Sequence, residues 1–476
     1  MKSVAVVGAG LAGLSAALEL TRRGAKVTVL EALSTAGGRA QRLQYGAYRF
    51  DAGPTLLVMT DVLRATLGEA GFKRLGMRRL EPGYRVFWPD GERFDLSSDL
   101  AELLAQIARF EGPLHNAPAL RYLARVHDLY VRSRANILDV DHTTGSFVRT
   151  LLAPGRFSPW AVGGLRSFAQ RYFRSSHVVD ALTFQPLYLG TSPRRAPALY
   201  AMLAVEEAVG GVWYCEGGTA AVVDALVEAC TAAGVSFEFD SVVSEVRTAG
   251  RSAQAVVLKN RTVEADGVVV TADRETAITS LFGTSRTKRV KYGHSAMLWY
   301  VAVRRAVALP HHSVFLPSDP WRSYAELDAG EIPKEPLVYA CNPAVDDTGV
   351  APPGCSALTL LAPVPNALAL PEFDEAALFD AVLPAIERQV GALRDDIEFV
   401  RTRGPREFAG ELRLAHGAAF GPDHTLDQMG AFRPSIRHPR FDNVVFAGSG
   451  THPGSGVPMV LLSGRMAARR LMGDAA

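Results

Sequence analysis

The sequence predicts an α/β fold in which a parallel sheet is assembled from separated stretches of chain, with an α+β domain inserted between them. Three observations predict it. A short apolar strand, a glycine-rich turn, a helix and a second strand follow one another at the start of the chain. A second strand, glycine loop and helix close it between Asn443 and Met472. The long blocks between these units carry mixed helical and strand periodicity.

Val4 to Val7 is an uninterrupted apolar run, the pattern of a strand buried on both faces of a parallel sheet. It leads into Gly8-Ala-Gly10-Leu11-Ala12-Gly13, and residues 14–23, rich in Leu, Ala and Glu, read as a helix ended by Arg22, Arg23 and Gly24. Gly8 permits a tight turn, Gly10 lets the backbone approach a pyrophosphate, and Gly13 lets helix and strand pack closely. The helix N-terminus offers its free N–H groups to the phosphates. Lys26 to Leu30 is a second strand, and Glu31 stands at its end, roughly 20 residues beyond the glycines, where a carboxylate accepts from a ribose hydroxyl. These parts in this order are a Rossmann-type dinucleotide unit, and the acid argues against a ribose carrying a 2′-phosphate.

The next segment selects FAD over NAD. Ala32 continues from Glu31, then Gly37-Gly38-Arg39 and Phe50-Asp51-Ala-Gly53-Pro54-Thr55 add a second glycine cluster that an NAD site does not need. An extended flavin dinucleotide uses such loops, with Arg39 neutralising phosphate charge. Asp51 reads as a brace for its own loop. At the far end a strand from Asn443 to Ala447 enters Gly448-Ser-Gly450-Thr-His452-Pro-Gly-Ser-Gly456-Val457-Pro458, followed by a helix over 459–472. That helix N-terminus is expected at the flavin N1/O2 edge or the pyrophosphate, where positive dipole favours reduction. Val242 and Val243 are placed to offer backbone hydrogen bonds to adenine. His452, beside the presumed flavin loop, is the candidate for direct chemistry, whereas His311, His312, His416 and Arg433 read as structural.

The domain reading follows. Residues 1–74, 211–285 and 420–476 form the discontinuous FAD-binding domain, and 75–210 with 286–419 form the substrate domain. Within the latter, Phe147 to Arg174 interleaves arginines with Phe157, Trp160, Phe168, Tyr172 and Phe173. This suits a helical subregion lying at a membrane interface, or an amphipathic helix pair packed on the domain core. The 476 residues carry a net charge of +2, with no basic tail to recruit nucleic acid. Four cysteines without a CxxC pair, Cys215, Cys230, Cys341 and Cys355, point to reduced thiols and to no metal site. No apolar run is long enough for a transmembrane helix.

The words VAVVGAGLAGLSAALELTRRGAKVTVLEA, GGRA, FDAGPT, GVWYCEGGTAAVVDAL, VVVTAD and VFAGSGTHPGSGVPMVLLSGRMAA together resemble the bacterial carotenoid (phytoene-type) desaturases, flavoproteins of the amine-oxidase-like superfamily. Weaker echoes lie at Leu309 to His312 and between Pro336 and Pro365. The resemblance implies FAD-dependent introduction of C=C bonds into a long apolar polyene, by hydride transfer to flavin N5 with loss of a proton. It implies a hydrophobic carotenoid as substrate, a membrane surface as partner, and a cytoplasmic enzyme peripheral on the inner face of the cell membrane. Because Pro453 interrupts any second nucleotide fingerprint, O2 or a quinone is the expected electron acceptor. A carotenoid oxygenase or ketolase, a polyene isomerase or saturase, and a flavin-binding redox sensor without turnover are the competing readings.

Overall fold

The structure, a computed structural model, describes residues 1–153, 158–283 and 290–473. Its N-terminal strand β1 (Ser3–Val7), helix α1 (Leu11–Arg22) and strand β2 (Lys26–Leu30) form the expected βαβ unit. β1 is the centre of a five-stranded parallel sheet, in the order Val444–Phe446, Gly267–Val270, β1, β2, Ser236–Glu238. The two outermost strands come from segments far apart in sequence, so the sheet closes only when the C-terminal region returns to the N-terminus.

Small residues allow that return. The C-terminal helix Val457–Met472 packs along α1, and a Cβ on its Gly464 would meet the Ala12 carbonyl oxygen at 2.3 Å. Ser15 Oγ donates to the Leu461 carbonyl at 2.7 Å, and Arg469 bonds Glu19 at 3.1 Å. This helix starts at Val457, two residues before the sequence reading placed it. Pro458 belongs to its first turn, where a missing N–H costs nothing.

A seven-stranded sheet forms the second layer, in the order Ile397–Arg403, Ser295–Val303, Ser356–Val364, Val338–Cys341, His312–Phe315, Tyr84–Phe87, Arg93–Leu96. It is antiparallel except where His312–Phe315 meets Tyr84–Phe87. Ser295–Val303 is buried at all nine positions, and its period-2 alternation divides the contacts. Met297, Trp299, Val301 and Val303 pack on Leu378, Val382 and Ile386 of the helix Glu375–Val390, while Leu298, Tyr300 and Ala302 join Tyr48 and Phe50 on the other face.

Of the two readings of the arginine–aromatic stretch, the described rings fit the helix pair packed on the domain core. Phe168 and Phe173 are 3% and 1% exposed in the core with Tyr122, and Trp160 stacks on Phe168 at 4.2 Å. Arg125 covers the Trp160 ring, and Arg166 covers that of Trp321. The helices are amphipathic with their aromatic side spent on the core. Arg156 and Phe157 lie outside the described residues. Among the described residues no helix is long and apolar enough to cross a membrane.

Candidate active site

The two layers enclose a continuous cavity of about 1050 Å³. That is at the upper end of the range for small-molecule sites, roughly 300–1,000 Å³, and suits a dinucleotide together with a second apolar molecule. One end is lined by Gly8, Gly10, Leu11, Ala12, Glu31, Ala32, Gly37, Gly38, Arg39, Gly53, Pro54, Thr55 and Val243. Gly448, Gly450, His452, Gly456, Val457 and Pro458 line it from the C-terminal loop. Of the predicted site residues, Gly13 alone stands back from the wall. It performs the packing task, since a Cβ there would sit 2.0 Å from the Gly8 carbonyl oxygen.

Local geometry explains the glycines. Gly8 has φ +105°, and a Cβ there would meet Thr271 Oγ1 at 2.5 Å. Gly448 and Gly456 have φ +111° and +108°, conformations that other residues rarely adopt. α1 and Val457–Met472 both begin at a glycine, Gly10 and Gly456, with no side-chain cap and no acid in the first turn. Two helix N-termini at one cavity thus keep their N–H groups and positive dipole for a ligand. Glu31 accepts from Ala9 N at 2.6 Å through Oε2 and from Leu33 N at 2.9 Å through Oε1, so it braces the glycine turn. Each oxygen keeps a further lone pair for a hydroxyl. Arg39 is no loose surface charge. It donates to the Ala419 carbonyl at 2.7 Å and to Ser449 Oγ at 2.6 Å, tying three loops around the cavity. Asp51 accepts from Thr219 N and Ala220 N at 3.0 Å each, capping the helix Gly218–Ala232 from a distant segment. Bare helix ends, a carboxylate for ribose and glycines that leave room along the wall fit FAD.

The other end of the cavity is walled by Phe184, Leu187, Leu199, Met202, Leu203 and Leu361. Two acids interrupt it: Glu206 and Glu207, on the helix Ala201–Val209, which the sequence reading missed. Their only signal was a pair of carboxylates inside an apolar helical run. Burial pushes the Glu207 carboxyl up to about 8 and that of Glu206 to about 7. A folded-state value raised above the ordinary 4.5 gives stability that is fully present below 4.5 and is lost as pH rises through about 8. Glu207→Gln is therefore expected to gain melting temperature over the parent progressively across that window. A difference that stays constant with pH overturns the assignment.

His452 is 6% exposed, and burial lowers its imidazole to about 4, so the ring is neutral. Its Nε2 bonds the Ile137 carbonyl at 2.9 Å, and Nδ1 is enclosed without a partner. Its visible task is to fasten the C-terminal loop to the helical region. Arg433 has the structural role read for it: 3% exposed, it donates to the carbonyls of Ser449 at 2.7 Å and Thr451 at 3.1 Å.

The family model described as flavin containing amine oxidoreductase matches residues 11–472. The chain belongs to that family, and within it to the carotenoid desaturases. It is 32% identical to the zeta-carotene-forming phytoene desaturase of Myxococcus xanthus, over 99% of this chain and 94% of that one. It is likewise 32% identical to the carotenoid 3,4-desaturase of Haloarcula japonica, over 100% and 99%. The phytoene dehydrogenase of Streptomyces griseus is 33% identical, over 99% and 95%. Putrescine oxidase bound to putrescine shares the fold with a TM-score of 0.66 at 15% identity, covering 99% of each chain. An oxidoreductase from Methanosarcina mazei does so at 0.65 and 16%, covering 97% and 98%. The cofactor of this desaturase-family chain is FAD.

Proposed function

We propose that this flavoprotein is a desaturase of a long, apolar polyene. The observation that carries the reading is the continuous cavity of about 1050 Å³ that joins the dinucleotide end to an end walled by apolar side chains. When bound, FAD supplies a hydride acceptor. The chain holds it through the glycine turns, Glu31 and the two helix N-termini, and excludes water from the reacting carbons with the apolar wall. A polyene offers no polar handle along its length, so cavity shape selects the bond that reaches the flavin. The test is expression in bacteria that accumulate phytoene or a partly desaturated carotenoid. Loss of two hydrogens per step with a red-shifted pigment is expected. A gain of oxygen moves the reading to an oxygenase, and unchanged pigments with every carotenoid overturn it.

The same reading includes a cytoplasmic enzyme resting on a membrane surface, with O2 or a quinone taking the electrons. What supports the surface contact is the rim of the cavity. Val162, Leu426 and Phe432 all line it yet are 45%, 42% and 40% exposed. An apolar rim around an apolar cavity lets a substrate dissolved in lipid enter without crossing water. Leu426→Ser with Phe432→Ser is expected to reduce co-sedimentation with liposomes several-fold while flavin content stays at the parent level. Undiminished liposome binding removes the rim from the proposal.

A further inference from the structure

A run of hydrogen-bonding side chains leaves the cavity at Thr55 and Tyr339, which both line it, and reaches the surface at Asp346. Thr55 Oγ1 and Tyr339 OH are 2.6 Å apart, and Tyr339 OH and His312 Nδ1 are 2.7 Å apart. On the outer side His311 Nδ1 and Asp346 Oδ2 are 2.7 Å apart, and the Asp346 side chain is 27% exposed. The two histidines are 3% and 0% exposed, with ring centres 4.6 Å apart. The Nε2 atom of each is buried without a hydrogen-bond partner.

Two adjacent orphaned ring nitrogens in a core require a reason, because buried polar atoms are almost always paired. Their tautomers supply one. The Asp346 carboxylate accepts, so His311 carries its proton on Nδ1 and a lone pair on Nε2. With Tyr339 donating to Nδ1 of His312, that ring carries its proton on Nε2. An unpartnered donor and an unpartnered acceptor therefore sit on neighbouring rings, complementary to each other.

We propose that Thr55, Tyr339, His312, His311 and Asp346 form a proton exit from the cavity. The proposal rests on the desaturase reading. A –CH2–CH2– unit that becomes –CH=CH– loses one hydride, for which FAD is the acceptor, and one proton. The proton goes to the Tyr339 hydroxyl, directly or through Thr55, as that hydroxyl gives its own proton to His312 Nδ1. His312 passes its Nε2 proton to His311 Nε2 through one bridging water, since no direct hydrogen bond joins the two rings, and His311 passes its Nδ1 proton to Asp346, which releases it to solvent. No net charge stays inside, and ring flips reset the tautomers.

The surroundings suit neutral carriers. His312 meets Tyr339 and His311, and burial holds it well below the ordinary histidine value. His311 is also held down by burial, against the opposing pull of Asp346 and Asp347, with Arg78 and the Tyr214 ring beside it. Around Tyr339 stand Thr55, Cys341 and Tyr188. Asp346 itself is kept low by its bond to His311, so it gives up a proton readily.

Flavin bleaching by polyene under anaerobic conditions tests the path in the holoenzyme. Tyr339→Phe is expected to slow it by roughly 10²-fold at parent flavin content, the scale of a lost proton-transfer group. Asp346→Asn at the outer end is expected to be slowed and then restored by imidazole buffer, which a purely structural loss would not be. In FAD-free protein, 15N NMR is expected to show His311 protonated on Nδ1 and His312 on Nε2. A parent enzyme that bleaches with polyene while both variants match it overturns the exit and leaves the desaturase reading standing. Reversed tautomers overturn it whatever the substrate is. Stoichiometric metal in the purified protein also overturns it, since His311, His312 and Cys341 offer donor atoms within 4.8 Å of one another. A parent that bleaches with no polyene overturns the desaturase reading instead.

Discussion

Gly13→Val is expected to abolish FAD retention and to destabilise the fold by about 3 kcal/mol or more, the upper range for overpacking a close contact. The first added carbon would lie 2.0 Å from the Gly8 carbonyl oxygen and 3.3 Å from Thr271 Oγ1. The obstacle is backbone, so no rotamer relieves it. α1 must move away from β1, and with it the helix N-terminus that faces the cavity. Gly10→Val separates binding from folding. A Cβ at Gly10 meets only the Gly37 carbonyl oxygen, at 4.0 Å, so this variant is expected to fold normally and yet hold FAD weakly. Flavin absorbance per chain and melting temperature, read on both purified variants, check the pair. Full flavin content in Gly13→Val sinks the packing argument, and full content in Gly10→Val sinks the phosphate assignment.

Arg433→Met is expected to cost about 3 kcal/mol or more, since each buried acceptor left unpaired costs about 1–3 kcal/mol. The guanidinium reaches four carbonyls, those of Pro422, Asp423, Ser449 and Thr451. It joins the segment before Asp423 to the loop after Ala447. Asp423 also pairs with Arg195 at 2.6 Å and accepts from Thr191 Oγ1 at 2.6 Å, so the network continues into the helical region. Arg433→Lys is expected to rescue little, because one ammonium cannot reach donors' worth of carbonyls that diverge around a planar fork. Thermal unfolding and flavin content measure both variants. A lysine variant with parent values would show that charge alone, and not the fork, holds the loop.

Much of the dinucleotide end was legible because its demands are local. A positive φ at Gly8 or Gly448, a close approach at Gly13 and a bare helix start at Gly10 or Gly456 each restrict the residue at that very position. The apolar strands announced themselves for a related reason: nine consecutive buried positions in Ser295–Val303 demand apolar residues at nearly every step. The rest depends on what lies across from a residue. Phe168 and Trp160 could have faced lipid or core, and only the packed partners Tyr122 and Arg125 settle the side. In sequence nothing separates Glu207 from other helical acids, and only the cavity wall that buries it does so.

By itself, then, the sequence determined the βαβ unit, the returning C-terminal loop and the FAD they hold, since backbone geometry at a glycine is written where it acts. The tertiary structure decided the paired acids in the apolar wall, the loop clamp at Arg433 and the linked side chains from Thr55 to Asp346. Those properties arise from burial and from distances between segments up to hundreds of residues apart, as with Thr55 and Tyr339. No single stretch of chain carries them.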